Sequence, residues 1–243
     1  PTSGQAWVGG VDVMQNPGEV RQRLGYLPQD FGFYHNLTAF EMLDYIGALK
    51  NIPARRRKDQ VMAVLEDVHL IAEAGRKVGA FSGGMRQRLG IAQALLGDPE
   101  LIVVDEPTAG LDPEERIRFR NQLAGLTQQR TVLLSTHIVA DVEANCAGLA
   151  VLNSGRIVFS GSPAALSEQA RGAVWQVNVP AERWSALEAH YTVLSMRALD
   201  GRVQGRLLTD HPPMEGARPA EPRLEDGYVH VMKTNAATQE ARH

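Results

Sequence analysis

The sequence lacks several features that would each indicate a class of protein. Its single cysteine, Cys146, excludes an internal disulfide, and no group of cysteines and histidines has the spacing of a metal site. No apolar run approaches the roughly 18 residues that a membrane-spanning helix needs. A formal net charge of -3 argues against a nucleic acid as the main partner. Any role at a membrane is therefore expected to be peripheral.

The 243 residues, 44% of them hydrophobic, are enough for a sizeable core and for one domain with an appendage.

The most informative stretch is Phe81–Arg88, where Ser82 stands at a position that can cap a helix. The next two residues, Gly83 and Gly84, leave the first backbone N–H groups of that helix bare. The sequence therefore predicts an anion-binding helix start at this point.

The helix that begins here continues along an apolar face as far as Leu96. A buried strand follows at Leu101–Val104, because four consecutive apolar residues are typical of a central parallel strand covered on both faces. Asp105 and Glu106 come directly after this strand. Since open α/β sheets place their ligands at the carboxyl ends of their strands, both acids are candidate site residues.

Four motifs follow one another in a fixed order: Ser82-Gly83-Gly84, Asp105-Glu106-Pro107, Gly110-Leu111-Asp112-Pro113 and Ser135-Thr136-His137. Ser82 and Asp105 are 23 residues apart, an interval that the predicted helix and strand fill. A lone Ser-Gly-Gly would indicate no more than a flexible turn. The ordered set is far more specific, and it resembles the ATPase subunit of ATP-binding cassette (ABC) transporters.

The resemblance implies an α/β fold whose core is a parallel sheet similar to that of P-loop NTPases. A nucleotide-binding domain would cover residues 1–163, with a helical subdomain inserted at about residues 37–97. A small α+β accessory region would cover residues 164–243. A helix beginning near Leu224 resembles the closing helix of exporter-type ATPase subunits.

One motif of the family is missing from these residues. The phosphate-binding loop G-x-x-x-x-G-K-[ST] does not occur, since the sequence contains no Gly-Lys-Ser or Gly-Lys-Thr. The first four residues, Pro1–Gly4, resemble the turn that follows the first helix of the nucleotide-binding core. We therefore expect the loop and its neighbouring strands to precede Pro1 in a longer protein. A chain that never had the loop is the alternative.

The resemblance also implies roles for the residues at the strand ends. Asp105 and Gln29 would hold Mg²⁺, and Glu106 would act as the general base for the attacking water. His137 would contact the γ-phosphate of ATP. Gln29 follows a predicted strand at Leu24–Leu27 and would link the metal and the water to the membrane partner. The predicted catalytic residues are thus Glu106, His137 and Gln29.

A second set of residues is expected to bind ATP from the opposite side. By resemblance, Ser82, Gly83 and Gly84, together with Gln87 and Asp112, complete the site of a second nucleotide-binding subunit. Within its own chain this helix start is expected to lie remote from the strand ends. The implied ligands are ATP and Mg²⁺, and the implied partners are that second subunit and a membrane-spanning permease. The implied location is cytoplasmic, on the inner face of the cell membrane.

The predicted subdomain begins with a helix-start signal, and two further features of it, a basic run and an aromatic stretch, leave alternatives open. Thr38 and Glu41 have the spacing of a capping box at a helix start, and Pro53 is expected to end that helix. The basic run Arg55–Lys58 indicates either a patch for lipid headgroups or nucleic acid, or a solvated helix start. The aromatic residues of Phe31–His35, at the entrance of the subdomain, either dock a membrane subunit or pack within the subdomain.

Two other functions share the motifs. A soluble ABC-type ATPase acting in translation or on DNA is one, although such proteins usually join two cassettes or carry long coiled coils, and neither feature is present in these residues. A non-catalytic regulatory cassette without the phosphate loop is the other.

Overall fold

A computed structural model describes residues 2–108, 110–127 and 130–240 of the protein. The chain divides into two compact units, residues 1–137 and residues 138–243. The predicted domain boundary after residue 163 stays a prediction. In the predicted turn at the start of the chain, Pro1 lies outside the described residues.

The first unit opens with a small hairpin, turning at two glycines, and then alternates strands with helices. Its strands are β1 (Trp7–Val8), β2 (Val11–Asp12), β3 (Leu24–Leu27), β4 (Leu101–Asp105) and β5 (Thr131–Ser135). Its helices are α1 (Pro17–Arg23), α2 (Ala39–Leu49), α3 (Ala54–Asp67), α4 (Gly83–Leu95) and α5 (Pro113–Leu126), with short 3₁₀ turns at Ile71–Glu73 and Val78–Ala80.

The strands β3, β4 and β5 form a parallel sheet with β4 in the centre. Leu27 lies opposite Val104, and Asp105 lies opposite Ser135. Because the strands run in the same direction, their carboxyl ends meet at one edge of the sheet. The predicted α/β fold with a parallel sheet core is confirmed.

One face of this sheet is covered and the other is open. The covered face carries Leu27, Ile102 and Val104, each at most 2% exposed. On the opposite face Tyr26 is 47% exposed and Leu133 is 58% exposed. Since burial alternates along β4, the prediction that its strand is covered on both faces was wrong for the described residues.

The covered face is closed by α4, which approaches the backbone of β3 very closely. A Cβ added to Gly25 would lie 2.2 Å from the carbonyl oxygen of Ala94. Only glycine fits at this contact, so the helix packs directly against the sheet. This contact fixes the last turn of α4 against the beginning of β3.

All elements between residues 39 and 95 are helical, as expected for the subdomain whose extent was predicted at about 37–97. The capping box of α2 is present: Glu41 N–H donates to Thr38 Oγ1 at 3.1 Å, and Thr38 N–H donates to Glu41 Oε2 at 2.8 Å. Pro53 does not end α2, which stops at Leu49; it is the N-cap residue of α3.

The second unit is an α+β arrangement. Its strands are β6 (Leu149–Asn153), β7 (Arg156–Gly161), β8 (Val174–Pro180), β9 (Thr192–Leu199), β10 (Arg202–Leu208) and β11 (Arg218–Pro219). Its helices are α6 (Val139–Asn145), α7 (Pro163–Glu168), α8 (Ala181–His190) and α9 (Leu224–Glu240). The strands β6 and β7 form the predicted hairpin, and the others form an antiparallel sheet in the order β11-β8-β10-β9.

Internal contacts hold this second sheet to its helices. The ring of Trp184 lies over Gly205, where an added Cβ would come within 2.2 Å of the indole. Arg206 and Asp226 form an ion pair at 2.5 Å with side chains only 13% and 5% exposed.

Within the described part of the chain, none of the helices combines the length and the apolar character needed to cross a bilayer.

Candidate functional site

The carboxyl edge of the parallel sheet carries two adjacent acids in different backbone conformations. Asp105 is the last residue of β4, whereas Glu106 has a φ of +45°. A left-handed conformation costs a residue with a Cβ about 1–2 kcal/mol, and such strain is concentrated at functional sites. A hydrogen bond of 2.9 Å from Glu106 N–H to the Ser135 carbonyl holds the turn. The side chain of Glu106 therefore does not continue the in-and-out alternation of side chains along β4.

Glu106 lies against His137, which follows the neighbouring strand β5. The distance from His137 Nδ1 to Glu106 Oε2 is 2.8 Å. The carboxylate is 23% exposed and the imidazole 73%. Oε2 is buried and accepts no aligned hydrogen bond from any described residue, so the contact is an ion pair only when His137 is protonated. An imidazole beside a half-buried carboxylate can orient that carboxylate for proton transfer.

A cavity of about 410 Å³ opens beside this pair, within the size range of small-molecule sites. Its wall includes Gln29 and Glu106 from the strand ends, together with Gly83, Arg86 and Gln87 from α4. The ring centroids of Phe31 and Phe33, which also line it, are 5.1 Å apart. The structure thus brings Gln29 and Glu106 together.

The start of α4 is open to a ligand. Ser82 Oγ accepts a hydrogen bond from Met85 N–H at 3.3 Å, which confirms the predicted cap. A Cβ added to Gly83 would meet nothing within 4 Å, and one added to Gly84 would meet only Glu115 Oε1 at 3.4 Å. The first turn contains no acidic residue. These features suit a phosphate oxygen that approaches the backbone.

The start of α4 is closer to the strand ends than expected. Gln87 is 8% exposed, and its Nε2 donates to the Pro107 carbonyl at 3.2 Å. Gly83 and Gln87 line the same cavity as Glu106. The expectation that this helix start is remote from the strand ends was therefore wrong, because Gln87 ties the helix to the loop after β4. Whether Gln87 also binds nucleotide stays a prediction.

A second cavity, also of about 410 Å³, lies on the other side of the α4 start and includes Ser82, Gly84 and Glu115 in its wall. Asp112 caps α5, with its Oδ1 accepting from Glu115 N–H at 2.8 Å. Sequence reasoning missed Glu115, since an acid in the first turn of a helix is the usual stabilising choice and gives no other signal. Asp112, like His137, belongs to the wall of neither of these two cavities.

The donor set suits a magnesium ion that arrives with a nucleotide. Within residues 2–108, 110–127 and 130–240, no group of three or more His, Cys, Asp and Glu side chains could hold a metal ion alone. Mg²⁺ is usually bound through one or two carboxylates and substrate phosphates. Asp105 supplies one carboxylate for the metal, and Glu106, whose buried Oε2 has no aligned donor among the described residues, supplies a second for the attacking water. The residues therefore fit the metal and water side of the site, while the 243 residues hold no phosphate-binding loop.

Comparison with known proteins identifies the family of the chain. The family model for ABC transporters matches residues 1–109. The ABC transporter ATP-binding protein NatA of Bacillus subtilis is 36% identical over 173 residues, which cover 70% of each protein. The chain belongs to the ABC transporter ATP-binding protein family.

Other ABC relatives extend the match over most of the chain. An uncharacterized ABC transporter ATP-binding protein of Synechocystis sp. is 36% identical over 232 residues, 90% of this chain and 65% of the relative. The probable multidrug ABC transporter ATP-binding protein YbhF of Escherichia coli is 30% identical over 96% of this chain, which spans 43% of YbhF. The chain thus spans less than two thirds of either relative.

A solved ABC structure supports the fold. It is a dimeric ATP-binding cassette in a post-hydrolysis state with ADP and Pi. It covers 67% of this chain and 74% of its own, with a TM-score of 0.56 and 24% sequence identity. This likeness concerns the fold, and the match to NatA confirms the resemblance to the ABC family. The roles of the individual site residues remain predictions.

Proposed function

We propose that the protein binds and hydrolyses ATP as a subunit of an ABC transporter, and powers transport through a separate membrane-spanning permease. The observation that carries this proposal is the carboxylate of Glu106, which a left-handed turn places 2.8 Å from His137 and on one cavity wall with Gln29. The names of the relatives support it, since NatA and YbhF are both ABC transporter ATP-binding proteins.

Each residue at the strand ends has a defined part in hydrolysis. Asp105 and Gln29 hold Mg²⁺, which when bound neutralises charge on the phosphate oxygens. Glu106 orients a water and takes its proton as the water oxygen attacks the γ-phosphorus. The bond from the γ-phosphorus to the bridging oxygen breaks, and ADP leaves with that oxygen. His137 contacts the γ-phosphate and keeps Glu106 in place.

A second nucleotide-binding subunit completes the site. The open start of α4 at Ser82, Gly83 and Gly84 grips the γ-phosphate of ATP held by the partner chain, and Gln87 and Asp112 lie at the same interface. Bound ATP then joins the two subunits, and hydrolysis releases them. The subunit sits in the cytoplasm against the inner face of the cell membrane, where the permease is.

Removal of the general base tests the proposal. In full-length protein that includes the phosphate loop, Glu106→Gln keeps the shape of the side chain and loses the proton acceptor, so ATP turnover is expected to fall at least ~10²-fold while ATP still binds. Glu66→Gln, at an exposed position on α3, is the matched control and is expected to keep full turnover. Near-normal turnover of Glu106→Gln would contradict the role of Glu106.

A polypeptide of residues 1–243 alone is proposed to be inactive. Without clustered loop N–H groups and the loop lysine, several charge-assisted contacts to the β- and γ-phosphates are lost, each worth about 1.5–3 kcal/mol. Calorimetry with ATP is expected to detect no binding to this polypeptide and clear binding to the full-length protein. Micromolar binding by residues 1–243 would reveal a phosphate site elsewhere in the chain.

Copurification separates transport from other ABC activities. If the permease is the partner, membrane extraction with a mild detergent should recover it with the tagged full-length protein. Recovery with ribosomes or DNA instead would favour a soluble ABC-type ATPase, and a full-length protein without a phosphate loop would favour a regulatory cassette.

A further inference from the structure

The connection between α2 and α3 carries a concentration of positive charge. Residues 44–59 contain five Lys and Arg residues and two Asp residues, a net charge of +3 in a chain of net charge -3. We call residues 49–58 the basic tip. Only four residues lie between the end of α2 and the start of α3, so the basic tip is one end of this helix pair.

Two of the five cations serve the fold. Arg57 Nε lies 2.6 Å from Asp44 Oδ1, and the arginine stem packs against Gly47, where an added Cβ would lie 2.8 Å from its Cδ. Lys50 Nζ donates to the Leu96 carbonyl at the end of α4, at 2.5 Å. These contacts hold α2, α3 and the end of α4 together at the base of the tip and do not involve its outer cations.

The other three cations, Arg55, Arg56 and Lys58, are exposed, and no described residue forms an ion pair or a side-chain hydrogen bond with them. They stand in the first turns of α3, whose N-cap residue is Pro53 and whose first turn has no acid. Positive side chains at a helix start oppose the helix dipole. Helix stability therefore gives no reason for three cations at this position.

Apolar side chains accompany these cations. Leu49, at the end of α2, is 63% exposed, and Tyr45, one helical turn earlier on the same face, is 41% exposed. A membrane interface accepts cations, leucine and tyrosine together, because phosphates and acyl chains lie side by side there. A nucleic acid backbone offers no partner for an exposed leucine. The combination favours a lipid surface.

We propose that the basic tip binds the anionic headgroups of a membrane surface, with Arg55, Arg56 and Lys58 against the phosphates and Leu49 against the acyl chains. This contact is separate from ATP hydrolysis and from the permease. It can therefore be measured on the protein without either, and its failure would leave the proposed ATPase function unaffected.

Cosedimentation with vesicles tests the contact. Full-length protein without nucleotide is expected to sediment with vesicles containing phosphatidylglycerol and phosphatidylcholine, and not with pure phosphatidylcholine. Each cation near an anionic surface changes partitioning about fivefold, so Arg55→Glu with Arg56→Glu is expected to weaken binding at least about 25-fold. Leu49→Ser is expected to weaken it while keeping its dependence on salt.

A matched control makes the result specific. Arg183 occupies the same position in α8 as Arg56 in α3, three residues after a proline N-cap, and Arg21 is exposed on α1. Arg183→Glu with Arg21→Glu changes the net charge equally and is expected to keep vesicle binding. Equal loss in both double variants, no binding of the unmodified protein to anionic vesicles, or preferential binding to RNA or DNA would each overturn the proposal. The thermal midpoint of Arg55→Glu with Arg56→Glu should not fall, which excludes unfolding as the cause.

Discussion

Two helix starts in the first unit differ from the other helices of that unit in the same respect. The first turns of α1, α2 and α5 contain acidic residues that balance the positive pole of the helix. The first turns of α3 and α4 contain none. Among the α-helices in the described part of the first unit, these two starts leave helix charge available to an anion from outside.

The starts of α4 and α3 present positive charge through different groups: backbone N–H groups at α4 and long side chains at α3. At α4 the cap is Ser82 and the next two residues are glycines, so a small anion can touch the backbone. At α3 the cap is Pro53 without a side-chain hydrogen bond, and arginines extend from the helix. A bare start suits one phosphate held by N–H groups, whereas long cationic side chains suit a broad surface reached at a distance. The two proposals for these sites follow from this difference.

The largest expected effect is the loss of ATP-dependent dimerisation when a large side chain fills the start of α4. In full-length protein, Glu106→Gln is expected to form a stable dimer with ATP. Adding Ser82→Arg fills the open start with a long side chain and removes at least one or two charge-assisted hydrogen bonds to the partner's ATP. At about 1.5–3 kcal/mol each, this loss weakens dimerisation by roughly 10²-fold or more. Size-exclusion chromatography with ATP measures it.

Ser162 provides the control for this experiment. It caps α7 as Ser82 caps α4, with its Oγ accepting from Ala165 N–H at 3.1 Å. Ser162→Arg in the Glu106→Gln background is expected to leave the ATP-dependent dimer intact. A dimer that survives Ser82→Arg would show that the start of α4 does not bind the partner's nucleotide.

Local patterns in the sequence were enough to predict the parts of the site that one element determines. Ser82 as a helix cap and Asp105 at the end of a parallel strand each follow from residues close together in the chain, and strand direction then places Asp105 beside Ser135. The open face of β4 was not predictable, because an apolar run does not reveal how many faces are covered.

Other features of the site depend on contacts between distant residues. The hydrogen bond from Gln87 to Pro107 joins residues 20 positions apart, and no local spacing encodes it. The left-handed φ of Glu106 is held by a carbonyl on the neighbouring strand, so it could be found only with the sheet assembled. Such long-range contacts made the helix start closer to the strand ends than expected.

The next largest effect is a change of stability with pH that Lys50, at the base of the basic tip, is expected to cause. Burial lowers the pKa of Lys50 from 10.5 to about 8. Between these values the unfolded chain keeps the proton and the folded chain loses it, so stability is expected to rise as pH increases from about 8 to about 10.5. Because the side chain is only half-buried, about 1–2 kcal/mol is expected rather than the full shift.

This pH dependence is tested by measuring the free energy of unfolding with denaturant at several pH values, for the unmodified protein and for Lys50→Met. The difference in unfolding free energy between the two proteins should change in favour of the unmodified protein over that window. A difference that stays constant would show that the hydrogen bond from Lys50 to Leu96 compensates for burial.

The capped start of α2 provides a reference for the uncapped start of α3. Thr38→Ala removes the hydroxyl that accepts from Glu41 N–H, and is expected to cost about 1 kcal/mol of unfolding free energy. Thr38→Ser keeps an oxygen at this position and is the control. An equal loss in both variants would attribute the effect to the lost methyl group instead of the cap.

The smallest effect has the opposite sign and tests whether α3 sacrifices stability for its charge. Arg56 is the third residue of α3, where a glutamate would favour the helix dipole. Since Pro53 has no N–H, the new carboxylate cannot complete a capping box, and the gain is purely electrostatic. Arg56→Glu is expected to raise the free energy of unfolding by about 0.3–1 kcal/mol at low salt, and less at high salt. Denaturant titration at two salt concentrations measures it, with Arg56→Gln expected in between. If Arg56→Glu destabilises the protein, Arg56 has a structural role, and the cations of the basic tip need no outside partner to explain them.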